Sequence, residues 1–69
     1  MKFKSRKEVE YRGCKIIVRM FEGEYHPPLY KSYEAQDENG KTLWISDILY
    51  ECNYLDDCES VIDKHLEKK

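Results

Sequence analysis

A chain of 69 residues, 41% hydrophobic and 38% charged, has room for one domain with one modest core, which argues against a sizeable substrate cavity. Its three cysteines make no C-x-x-C spacing, a poor framework for a disulfide-stapled secreted fold, and no run of about 18 apolar residues is present to cross a bilayer. The net charge of -2 hides a polarity: residues 1–20 carry seven basic against two acidic side chains, and residues 21–63 carry two against eleven. Such a field bears on association with partners more than on fold. Composition therefore predicts a cytoplasmic protein with no membrane contact.

In chain order, residues 1–8 read as a basic N-terminal arm and residues 9–69 as a single α+β domain. Residues 9–21 are strand-like, and alternation places Cys14, Ile16, Val18 and Met20 on a core face, with Ile17 and Phe21 opposite. Gly13 interrupts the run as a bulge or tight turn would require. Whether residues 8–12 belong to the same strand or to a separate short one is left open by the pattern.

Residues 22–28 contain Pro27 and Pro28 and predict a loop, after which residues 29–36 return to strand. Asn39-Gly40 predicts a tight hairpin, with residues 41–46 as its return strand. Leu43 and Ile45 then fall on the core face, and Thr42, Trp44 and Ser46 on the other. Asn53 can cap a helix in which Leu55, Cys58, Val61, Ile62 and Leu66 form one apolar stripe. The simplest packing is a three-stranded antiparallel sheet covered on one face by a C-terminal helix, β-β-β-α.

Through Tyr11-Arg12-Gly13 before Ile16 and Val18, Tyr33-x-Ala35, Asn39-Gly40 and the final helix with Ile62-Asp63, the chain loosely resembles small β-β-β-α modules. These are similar to antitoxin domains of the HicB kind and to double-stranded-RNA-binding-like folds. The resemblance implies an architecture and transfers no functional residue.

Catalytic constellations are weak. Cys52, Cys58, His65 and Cys14 supply zinc-ligand types, but Cys52 and Cys58 are separated by five residues and Cys58 lies on the apolar helix stripe, so no metal is expected. No cysteine stands in a Gly-rich turn beside a histidine, and three glycines make no phosphate-binding loop. The chain is therefore expected to be no enzyme and to use no cofactor.

Two surfaces stand out for binding. The uncovered sheet face is expected to carry Ile17, Phe21, Tyr30 and Trp44, residue types that anchor interfaces. The helix carries Asp56, Glu59 and Asp63 on its exposed side, suited to the basic surface of a larger protein. The expected function is a protein-binding module or inhibitor, in the manner of a phage-encoded, anti-CRISPR-like protein or a nucleic-acid mimic, with a homodimer as a neighbouring possibility. The alternative is a single-stranded nucleic-acid or antitoxin-type binding module, with Lys15 and Arg19 beside a stacking platform.

Overall fold

Arg12 and Gly13 have positive φ angles of 52° and 83°, so these two residues alone reverse the chain, with Tyr11 opposite Cys14. Two consecutive left-handed residues make a type I′ turn, whose twist matches that of the strands it joins. The sheet around this turn is a computed structural model describing residues 2–23, 29–50 and 52–68. It comprises β1 (Lys2–Tyr11), β2 (Cys14–Glu22), β3 (Leu29–Gln36), β4 (Thr42–Ile45) and β5 (Leu49–Tyr50), followed by helix α1 (Leu55–Glu67). Pairing is antiparallel in the order β1-β2-β3-β4, with β5 also on β3. The α+β class with a C-terminal helix agrees with the sequence reading. The three-stranded sheet does not: four strands and a short fifth are present among the described residues. Residues 24–28, within the expected loop, and Glu51 lie outside the described residues.

The additional strand includes most of the segment expected as an arm. Lys2 to Tyr11 pair with β2, and only Phe3, Val9 and Tyr11 are large and apolar along it. An edge strand needs one partner only, and lysines along it discourage pairing with another chain.

The turn between β3 and β4 is longer than the tight hairpin expected. Gly40 has φ 86° while Asn39 has no positive φ, and Asp37 organises the loop. Its Oδ1 accepts the backbone N–H groups of Asn39 at 2.9 Å and Lys41 at 2.8 Å.

One irregularity changes which side chains face the helix. Ala35 pairs with Trp44 and Gln36 with Thr42, leaving Leu43 as an extra residue in β4. A bulge moves side-chain alternation by one position. Trp44 therefore faces the helix with Ala35, and Ile45 faces outward with Glu34, reversing the expected sides of both. Between β4 and β5 Ser46 keeps the chain tied to β3: its N–H donates to the Tyr33 carbonyl at 2.7 Å and its Oγ accepts from the Tyr33 N–H at 2.8 Å.

The core lies between sheet and helix and consists of Cys14, Ile16, Tyr33, Ala35, Cys58 and Ile62, flanked by Val9, Val18, Leu55, Val61 and Leu66. The expected apolar stripe is thus the packed face of α1. At its start Tyr54 occupies the cap position, while Asn53 Oδ1 accepts the Leu55 N–H at 3.1 Å. Thirteen helical residues span about 20 Å, against about 34 Å for β1. The helix consequently leaves part of its own side of the sheet uncovered.

Candidate functional site

The outer face of the sheet, opposite the helix, has two zones. At one end the register lines up Phe3 with Phe21, Phe21 with Tyr30, and Tyr30 with Tyr50, a row of four aromatic residues across β1, β2, β3 and β5. Phe3 and Phe21 meet edge to face with centroids 5.6 Å apart, and Tyr30 and Tyr50 lie tilted at 5.7 Å. Phe3 and Tyr50 remain 54% and 52% exposed. Strict alternation along β1 would put Phe3 with Ser5, Lys7 and Val9 on the helix side. A register shift between Phe3 and Ser5 instead brings it onto the outer face.

The second zone is a lattice of ion pairs. Glu8 receives Lys15 at 3.0 Å and Arg6 at 3.3 Å, and Arg19 Nη1 donates to Glu34 at 2.7 Å. Ile17 sits between Glu8 and Glu34 in register and is 0% exposed, although no helix among the described residues covers this face. Long charged side chains cover apolar surface with their stems while their heads pair. Arg6, Lys15 and Arg19 are balanced by Glu8, Glu10 and Glu34, so the described sheet residues of this zone carry no net charge.

Glu34 is the buried member of the lattice. Burial pushes its carboxyl up, but hydrogen bonds from Thr42, Gln36 and Arg19 with the charge of Arg19 outweigh this and hold it below the usual carboxylate range. A carboxyl lowered on folding stabilises the fold above the unfolded value, about 4.3, and loses that contribution as pH falls through the folded value. The thermal midpoint is therefore expected to drop as the pH falls below about 4.3, and less steeply in Glu34→Gln. An equal slope in the variant would show that Glu34 does not carry the effect.

Phe21 and Tyr30 are cross-strand neighbours on the outer face, as expected, and Ile17 is on that face but inaccessible. Trp44 is on the other side, edge to face with Tyr54 at 5.8 Å, and Tyr54 in turn meets Tyr33 at 6.0 Å. The acidic helix is also divided. Asp63 accepts from Tyr11 Oη at 3.0 Å and from Arg12 Nη1 at 2.6 Å, so it anchors the β1–β2 turn to the helix. These contacts, Arg12 first, hold its carboxyl below the usual range. Asp56 remains exposed and Glu59 half-buried. Phe3 and Tyr50 were missing from the expected set; their signal was present only as aromatic residues near the strand ends.

Cys14 and Cys58 are both buried in the core, and Cys52 packs against it. Cys58 lies in the core, where burial pushes its thiol up to about 11, and Cys52 Sγ donates to the Lys31 carbonyl at 3.4 Å. On the helix side, where α1 stops short, Val9, Val18, Met20 and Tyr33 floor a groove of about 320 Å³ with Lys7 and Lys31 among its walls. No helix among the described residues is long and apolar enough to cross a membrane. No protein-family model, curated protein or solved structure matches the chain. Function is accordingly argued from the geometry.

Proposed function

We propose that this chain is a non-catalytic protein-binding module whose contact surface is the aromatic row on the outer sheet face. The row itself carries the reading: Phe3, Phe21, Tyr30 and Tyr50 are contiguous across four strands, and the two end residues are half exposed. A small domain commits nearly all its apolar surface to its core, so aromatic area left outside marks an interface. Tyrosine anchors combine apolar area with a hydroxyl, and partners bury such residues at interface centres. Ile45, 56% exposed on the same face, lies beside Glu34 in the charged zone and stands apart from the row.

The charge balance beside the row favours protein over nucleic acid. A stacking platform for single strands requires a positive groove along the backbone. Here Lys15, Arg19 and Arg6 are engaged by glutamates on the same face. The helix acids contribute less to binding than the sequence reading assigns, because Asp63 is held by Arg12 and Tyr11.

Affinity capture from source cells, with and without nuclease, tests this when the wild type is compared with the Phe3→Ala/Tyr50→Ala double variant. A protein retained through nuclease treatment by the wild type and lost by a folded double variant is the expected result. Recovery of nucleic acid alone, or a protein held equally by both, contradicts it.

A further inference from the structure

The β3–β4 turn and the end of the helix bring together side chains that the binding surface does not use. Asp37 and Glu38 from the turn and His65 from α1 each offer one ligand atom, and these atoms lie within 4.8 Å of one another. His65 Nε2 is buried without a hydrogen-bond partner among the described residues. Its nearest acid is Glu38, whose Oε2 is 3.6 Å away, within ion-pairing range but longer than a hydrogen bond. A buried nitrogen in this condition calls for an explanation, and an ion is one of the groups that satisfies it.

We propose that Asp37, Glu38 and His65 form a binding site for one divalent transition-metal ion, with Zn²⁺ as the probe. The donor set, one imidazole nitrogen and two carboxylates, is of the type zinc accepts. Bonds of about 2.0–2.1 Å in tetrahedral geometry place ligand atoms roughly 3.3–3.4 Å apart, close to the His65–Glu38 separation.

The supporting contacts fit a held site. Asp37 is fixed by the two backbone N–H groups on its Oδ1, which leaves Oδ2 to coordinate. Glu38 Oε2 faces His65 Nε2 at 3.6 Å, and Cys14 Sγ donates to the same oxygen at 3.7 Å as an outer partner. Hydrogen bonds of this outer kind orient metal-binding carboxylates. The competing account is a plain ion pair between protonated His65 and Glu38, which needs no metal.

Metal-free protein, dialysed against chelator and then freed of it, is titrated with Zn²⁺ by calorimetry, and its thermal transition is followed with and without the ion. One equivalent should bind and raise the midpoint by at least about 5 °C at saturation, since a ligand of the native state alone stabilises it. His65→Gln should abolish both effects, and Asp37→Asn, which keeps an oxygen for the turn, should weaken binding at least about tenfold. Cys52→Ser should bind as the wild type does. No binding, binding retained in His65→Gln, or a thiolate charge-transfer band with Co²⁺ as probe would each overturn the assignment.

Discussion

Ile17→Ala is expected to destabilise the domain by about 2–5 kcal/mol, against a total of roughly 3–10 kcal/mol for a chain of this length. The argument rests on burial where none is provided by the helix. Ile17 is 0% exposed on the outer face, in register with Glu8 and Glu34, whose ion pairs with Lys15 and Arg19 surround it. Alanine removes three carbons from beneath this lattice and leaves either a void or paired charges settling onto a smaller residue. Ile45→Ala is the matched comparison, because Ile45 is on the same face and 56% exposed; its change should stay within about 0.5 kcal/mol. Denaturant midpoints of the two variants check both values, and a mild Ile17→Ala would mean that the lattice does not seal the face.

Trp44→Ala is expected to cost about 3 kcal/mol, at the lower end for aromatic truncation because Trp44 is only partly buried. The bulge at Leu43 turns the indole toward the helix, where it packs edge to face on Tyr54 beside the core. Losing it should loosen the start of α1 through Tyr54, and Trp44→Phe should recover part of the loss by retaining a ring. Calorimetric melting of the two variants decides the matter. A fully stable Trp44→Ala protein would return Trp44 to the exposed surface that alternation assigns to it.

These two residues show where sequence reasoning succeeds and where it stops. Helical spacing identifies the packed stripe of α1, and alternation identifies Cys14, Ile16 and Val18 as the core face of β2, because both elements keep their period without interruption. Phe21 and Tyr30 follow from the same regularity. Phe3 and Trp44 do not, because each lies beside a register shift, at Phe3/Ser5 and at Ala35/Gln36, and the extra residue moves the alternation onto the opposite face. The strand β1 is hidden for another reason: an edge strand rich in lysine resembles a basic arm in composition. The acidic stripe of α1 misleads because the partner of Asp63 is Arg12, near the other end of the sequence, and long-range pairing leaves no local pattern.

The most direct test of the aromatic row as the binding surface compares two variants in equilibrium binding to the protein recovered by affinity capture. Phe3→Ala/Tyr50→Ala removes the exposed ends of the row, while Asp56→Lys/Glu59→Lys reverses charge on the helix and leaves the structural Asp63 in place. With folding confirmed for both by their thermal transitions, the row variant is predicted to lose about 100-fold in affinity and the helix variant to change by less than about threefold. The opposite order, with the helix variant losing binding and the row variant retaining it, would contradict the account.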